Sequence, residues 1–303
     1  MKAAGVYTFG PPEVLQTIEV DTPQAEAGEV RVRVKAVGVQ PADLAVRSGW
    51  TPPGGSIRIP QIPGNEFAGI IDQVGEGVTS ISVGDEVLGF RILQCYAEYL
   101  TVPAGQVALK PRQMPWEVAG SLSASGQTAH TALKELGVAS GDTVLIHAAA
   151  GGVGSMAVQL AHAWGAKVIG TASVRNHDYL RSLGAIPVSY GDGMTERIRA
   201  LAPNGIDAAL DAAGSDALRA SVELVADRSR IGTIVSFDIA EELGVRSIRS
   251  QRSAARLAEL IDLYEQGKLS IHIRKVFSLD RAADAHREIE QGHGRGKVVL
   301  TID

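Results

Sequence analysis

Between Glu29 and Gly38 the chain alternates: Val30, Val32 and Val34 share one side of an extended backbone, while Arg31, Arg33 and Lys35 share the other. A period of two with this contrast predicts a strand that buries one face and wets the other. Ile70–Val74, Glu86–Leu88 after the Gly84-Asp85 turn, and Tyr96–Val102 repeat the style, so roughly the first 110 residues are expected to form a mostly-β domain. Prolines at 52, 53, 60 and 63 and glycines at 49, 54 and 55 interrupt the pattern between Ser48 and Pro63. So many breakers predict a loop, either a lid over a site or a surface excursion.

From Thr143 short apolar runs alternate with amphipathic stretches of helix length, the pattern of parallel strands joined by crossover helices in a doubly wound α/β sheet. The candidate strands are Thr143–Ala148, Lys167–Thr171, Ile186–Ser189, Asp207–Leu210 and Ile231–Phe237. A last helix over Ser253–Gln266 is followed by a strand in the IHIRKVF run, a short helix over Arg281–Gln291 and a closing strand, Lys297–Ile302. The tail is expected to rejoin the first domain, so that residues 1–122 with 268–303 form one domain and 123–267 the other.

Composition narrows the function classes. The 303 residues fit two domains of about 150 each, and 45% hydrophobic with 21% charged residues describes an ordinary folded protein. A net charge of -5 without any basic block argues against a nucleic-acid partner. The single cysteine, Cys95, excludes an internal disulfide and a multi-cysteine zinc site, and fits a reducing, cytoplasmic setting. No partner histidine marks Cys95 as a nucleophile, so it is expected as a small core residue. The longest apolar stretch, Val144–Trp164, contains His147, Gln159, His162 and several glycines, so no membrane span or signal segment is expected. Histidines at 130, 147, 162, 177, 272, 286 and 293 show no metal-ligand spacing.

The chemistry concentrates in TVLIHAAAGGVGSMAVQLAHAWGAKVIGT, where a strand, a glycine-rich turn, a helix and a second strand follow within about 30 residues. Ala149 and Ala150 open the turn, with Ala149 in the place of the first glycine of a dinucleotide fingerprint. Gly151 admits a pyrophosphate, Gly152 and Val153 continue the turn, and Gly154 lets the helix pack on the strand. The helix N-terminus then offers free N–H groups and a positive dipole end to phosphates. A plain tight turn is the bland alternative. Met156, Leu160 and Trp164 on one helical face, with Gly165 as a C-cap, complete a full crossover unit and favour the dinucleotide.

About 20 residues past the turn an acid would select NAD by accepting a bond from the ribose 2′-hydroxyl. Residues 170–177 hold none, and Ser173 and Arg175 are suited to a 2′-phosphate, so NADPH is the expected cofactor. The competing reading makes Arg175 a solvated residue at the start of the next helix.

With these residues in place, the chain resembles the medium-chain dehydrogenase/reductase superfamily, in its zinc-independent quinone oxidoreductase and enoyl reductase branch. The resemblance rests on VGVQPADLAVRSG at 37–49, IPGNEFAGII at 62–71, VGDEVLG at 83–89, SASGQTAHTAL at 123–133, AAAGGVG at 148–154 and GKVVL at 296–300, in that order. It implies a GroES-like, mostly-β catalytic domain made from both chain ends, an inserted Rossmann domain, an active site in the cleft between them, and a homodimer. Gln40 and Asn65 stand where zinc-dependent relatives carry Cys and His, and the structural zinc lobe is missing after Gly89, so no metal is expected.

Without a Lewis acid, alcohol oxidation is disfavoured, whereas a quinone or an α,β-unsaturated carbonyl compound can take hydride with its oxygen polarised by hydrogen bonds. The resemblance assigns Gln40 to the acceptor oxygen, Thr128 to the nicotinamide end and Tyr190 to the adenosine phosphate, with Ala213, Phe237 and Lys297 as further cofactor contacts. Ala45 replaces a tyrosine common in this branch, which leaves the proton donor open. A rival short-chain dehydrogenase reading of Tyr264 and Lys268 fails, because the glycine motif lies mid-chain and Gly267 looks like a helix C-cap. The alternative from another class is an NADPH-binding redox sensor or structural protein with little turnover.

Overall fold

The computed structural model describes residues 1–292 and 294–303, so His293 lies outside the described residues. The first strands and helix are β1 (Lys2–Gly5), β2 (Gln16–Glu19), β3 (Glu29–Val39), α1 (Pro41–Arg47), β4 (Glu66–Val74), β5 (Glu86–Phe90), β6 (Tyr99–Pro103) and β7 (Val107–Leu109). A long helix, α2 (Trp116–Glu135), leads to β8 (Thr143–Ile146), α3 (Gly152–Ala163), β9 (Lys167–Thr171), α4 (His177–Ser182), β10 (Ala185–Val188), α5 (Met194–Leu201), β11 (Ala208–Asp211) and α6 (Ser215–Leu224). The chain closes with β12 (Ile231–Thr233), α7 (Phe237–Leu243), β13 (Arg246–Ser247), α8 (Ala254–Glu265), β14 (Ile273–Ser278), α9 (Ala282–Glu290) and β15 (Lys297–Thr301).

Two compact units result. One holds Met1–Ala124, Arg252–Glu265 and Ile271–Asp303; the other holds Ser125–Gln251 and Gln266–Ser270. The sequence expectation kept 123–267 together, but α8 falls in the first unit, where Leu257 and Leu260 are buried and the helix packs against β7. Amphipathic periodicity states that a helix has a buried face without stating which body covers it.

In the first unit a mixed sheet runs β14-β15-β3-β4-β5-β7, with β6 paired to β3, beside a two-stranded β1-β2 ribbon. β3 is its spine: Val30, Val32 and Val34 are fully buried, as their alternation requires, and β4, β6 and β15 all pair with it antiparallel. The core beneath includes Phe67, Ile71, Leu100 and Leu300. Ser48 to Pro63 carries no helix or named strand.

The second unit is a parallel sheet in the order β10-β9-β8-β11-β12-β13. Its core gathers Leu145, Ile169, Ala209, Leu218 and Ile231. The strand expected over Ile231–Phe237 ends at Thr233, and Phe237 opens α7 instead. The Thr233 hydroxyl oxygen accepts the N–H groups of Val235 (3.1 Å) and Ser236 (2.8 Å), which turns the chain out of the sheet despite its apolar side chains.

Candidate functional site

The glycine-rich turn leaves the C-terminal end of β8. His147 is fully buried there, with Nδ1 3.1 Å from Thr171 Oγ1 and Nε2 3.1 Å from Ser221 Oγ. Burial lowers its pKa to about 4, so the ring is neutral and serves as a strut between β8, β9 and α6. Ala148 follows with φ 51, the Gly151 N–H closes the turn onto Ala148 O (2.9 Å), and Gly151 caps α3 in an extended conformation. The first N–H groups of α3 have no acceptor within the helix and converge at this end.

Gly154 is required here by close approach. A Cβ would collide with Ala148 O and lie 2.8 Å from Ala149 Cα, both backbone atoms that cannot move aside. The Cβ position of Gly151 meets only Ala148 O, at 3.3 Å, so that face of the turn stays open. Ala149 and Ala150 differ from the residues after them: both are buried, and the Ala149 N–H is bound to Thr171 O at 3.0 Å. The half-buried residues Gly151, Gly152 and Val153 are therefore the ones that present the turn.

Parallel topology gathers the other expected residues of this unit at one edge, because Ser173 and Arg175 follow β9, Tyr190 follows β10, Ala213 follows β11 and Phe237 follows β12. Ser173 Oγ accepts from Asn176 Nδ2 (3.2 Å), Arg175 and Tyr190 are exposed, and Phe237 carries the Arg249 guanidinium 5.1 Å from its ring centroid. Sequence reasoning missed the hub below them, Asp211. Its carboxylate is fully buried and accepts from Ala213 N (2.8 Å), Gly214 N (2.9 Å), Thr233 Oγ1 (2.7 Å) and Ser236 Oγ (2.9 Å), tying the ends of β11 and β12 together. Thr128 lies half-buried on α2 in this unit.

A second polar cluster is buried in the first unit. Glu66, wholly inaccessible, accepts from Lys297 Nζ (2.9 Å), from the Ala124 N–H (2.6 Å) and from the Gln40 amide. Gly38 makes this possible, since a Cβ there would occupy the space of the Glu66 carboxylate. Gln40, expected to face an acceptor oxygen, thus directs one amide hydrogen to Glu66, and Lys297, expected at the cofactor, is buried against the same carboxylate.

Beside it Asp43 accepts from Gln40 N (2.8 Å), Gly64 N (3.2 Å) and Tyr96 Oη (3.0 Å). It buckles the start of α1 to the turn that precedes Asn65, across the loop between them. Burial pushes its pKa up to about 6, against the pull of those donors. Tyr96 Oη also meets His286 Nε2 (3.3 Å), and Arg47 approaches His286 Nδ1 (3.4 Å) while pairing with Glu290 (2.7 Å). Burial and the Arg47 charge lower the His286 pKa to about 3, and burial raises the Tyr96 hydroxyl well above its usual range. For the Glu66 cluster, the sequence signal is an acid at the head of the apolar run at 67–71. His286 and Arg47 are too distant in sequence for pattern to join them.

Zinc finds a poor donor set at Gln40 and Asn65. Both are amides; Gln40 donates to Glu66, the Asn65 Oδ1 atom is buried without a partner, and the Asn65 carbonyl is held by Arg252 at 2.6 Å. Cys95 is buried, and burial pushes its thiol up and keeps it protonated. Among the described residues no group of three His, Cys, Asp or Glu side chains is arranged to hold a metal ion, and no helix is long and apolar enough to cross a membrane.

Comparison with known proteins adds three kinds of likeness. Residues 26–112 match the alcohol dehydrogenase GroES-like domain family and residues 183–300 match the zinc-binding dehydrogenase family. A probable quinone oxidoreductase of Schizosaccharomyces pombe is 31% identical over 325 residues, covering 97% of this chain and 95% of the relative. The polyketide synthase GfsB of Streptomyces halstedii is 33% identical over 93% of this chain, which corresponds to 5% of that protein's length. A mycobacterial protein solved in complex with NADPH superposes with a TM-score of 0.87 at 31% identity, covering 99% of this chain and 100% of that one.

Proposed function

Because the chain belongs to the medium-chain dehydrogenase/reductase superfamily, in its quinone oxidoreductase branch, we propose that it is an NADPH-dependent reductase that delivers hydride, without zinc, to a quinone or to the double bond of an α,β-unsaturated carbonyl compound. The observation that carries this reading is the glycine-rich turn, with Gly151 open, Gly154 closely packed and Arg175 with Ser173 at the end of the neighbouring strand. NADPH supplies the hydride when bound. The first turn of α3 receives its pyrophosphate through N–H groups and the helix dipole, and Ser173 with Arg175 receives the 2′-phosphate. Asp211 and His147 hold the strand ends that carry these groups.

Gln40 keeps a second amide hydrogen beyond the one given to Glu66, which suits it to an acceptor oxygen. Asp43 fixes the backbone from which Gln40 projects. Zinc independence follows from the amide donors at Gln40 and Asn65, despite the name of the family that residues 183–300 match. Ala45 and the engagement of Gln40 by Glu66 favour, as the second reading, an NADPH-binding protein with little turnover.

One assay separates the two. Purified protein is incubated with NADPH and panels of quinones, enals and enones, and absorbance at the nicotinamide band is followed. Consumption matched by reduced product supports the reductase, and binding without turnover across the panel supports the sensor. Arg175→Ala is expected to cost NADPH affinity roughly tenfold or more while sparing NADH, in line with loss of a charged hydrogen bond. An unchanged preference for NADPH overturns the cofactor assignment. A homodimer and a cytosolic location accompany the proposal, the first checked by light scattering and the second by fractionation.

A further inference from the structure

The second unit has a cavity of about 600 Å³ that the proposed reaction does not use. Its walls are the last turns of α3 and α4 and the segment Gly267–Ser270. The glycine-rich turn enters the first turn of α3, so the length of that 12-residue helix, about 18 Å, separates the two. This cavity therefore lies at the opposite edge of the parallel sheet from the turn.

The lining is cationic and contains no carboxylate, with His162, Arg181 and Lys268 as its ionisable members. The Lys268 ammonium and the His162 ring have no hydrogen-bond or ion-pair partner among the described residues. Arg181 gives one N–H to Asp178 at 2.6 Å on the exposed surface of α4, a pair of little strength, and keeps its other donors. The wall itself is firmly built. Gln159 donates to Ser270 O (3.0 Å) and accepts from Ser270 N (2.8 Å) and Ser270 Oγ (3.0 Å), which pins the segment bearing Lys268 to α3. The Arg181 guanidinium and the Lys268 ammonium, both exposed, line this cavity with no carboxylate among the lining residues, and an anion between them offsets their like charge. A guanidinium fork beside an ammonium and an imidazole matches phosphate oxygens. The volume falls in the range of sites for whole small molecules and far exceeds that of a bare ion.

We infer that this cavity binds the phosphate group of a small phosphorylated molecule, at a site separate from the glycine-rich turn. The test is calorimetric titration with inorganic phosphate and, separately, with glycerol phosphate, each with excess NADPH present so that the turn does not contribute. Saturable binding near 1 mM or tighter is expected for at least one probe. Tighter binding of the ester identifies an esterified ligand, and equal binding identifies the free anion. The double variant Arg181→Ala/Lys268→Ala is expected to weaken binding roughly a hundredfold, about tenfold for each charged donor lost, while NADPH affinity stays within about twofold. Ala163→Glu, which places a carboxylate in the lining, is expected to abolish phosphate binding by occupying the same cations. No saturable binding of either probe, or binding unchanged in both variants, overturns the inference. Failure of the unmodified protein to bind NADPH would instead count against the proposed cofactor, and the two variants would then still decide whether the phosphate binds in the cavity.

Discussion

Replacing Lys297 by Met tests whether the buried Glu66 cluster holds the first unit together. The two charges stand 2.9 Å apart and are almost wholly inaccessible. Coulomb attraction at that distance is about 6 kcal/mol at an effective dielectric of about 20. Removing one partner of such a pair leaves an uncompensated buried charge and typically costs about 3–5 kcal/mol. The Ala124 N–H and the Gln40 amide stay on Glu66 and favour the lower end. Against a total stability of about 5–15 kcal/mol, that is a large fraction. Urea unfolding is expected to show a midpoint lower by about 1–2 M, and hydrogen exchange to show faster opening of β3 and β4. Adding Glu66→Gln removes the orphaned charge, so the double variant should be less destabilised than the sum of the single ones by about 3 kcal/mol. Additivity within about 0.5 kcal/mol, or a cost below about 1 kcal/mol for Lys297→Met alone, would refute the reasoning.

Three other outcomes are expected. Burial holds the His147 pKa near 4, below its ordinary 6.5, so its contribution to stability is complete above about pH 6.5 and lost as pH falls toward 4. That loss amounts to about 3 kcal/mol, and His147→Asn should flatten the acid limb of a stability-against-pH curve over this window. Gly154→Ala is expected to destabilise the second unit by about 1–3 kcal/mol and to weaken NADPH binding measured by fluorescence titration, because backbone atoms of Ala148 and Ala149 occupy the new methyl's space. Tyr96→Phe removes one donor from buried Asp43 and one contact from His286, at a cost of about 1–3 kcal/mol. It should also move the Asp43 titration, followed by carboxyl-carbon NMR, upward from about 6.

How far the sequence carries depends on how local each cause is. Val30, Val32 and Val34 announce β3 because a single strand's two faces suffice to explain them. The parallel strands around the glycine turn were legible for the same reason, and Lys167–Thr171 matches β9 at both ends. The strand expected to reach Phe237 stops at Thr233 because the Thr233 hydroxyl competes with the sheet, a side-chain effect that apolar patterning does not weigh. β1, β2 and β7 are three or four residues long and carry too little pattern to register. At the sites, Gly151 and Gly154 are readable from spacing, whereas Asp211, His147 and the Asp43, Tyr96 and His286 chain draw their roles from partners up to 239 residues away. Lys297 shows the same limit, since the motif located the residue and only the fold reveals the carboxylate it meets.

Ala148 occupies a left-handed conformation that glycine would adopt freely, at a cost of roughly 1 kcal/mol. The neighbouring N–H groups of Ala149 and Gly151 are already bound to Thr171 O and Ala148 O. A turn constrained in this way has few alternative shapes to surrender when an anion arrives. The entropy of ordering it is met during folding, so more of the contact energy of the arriving phosphates remains as affinity. Selectivity gains as well, because a stiff turn does not reshape itself around an ill-fitting group.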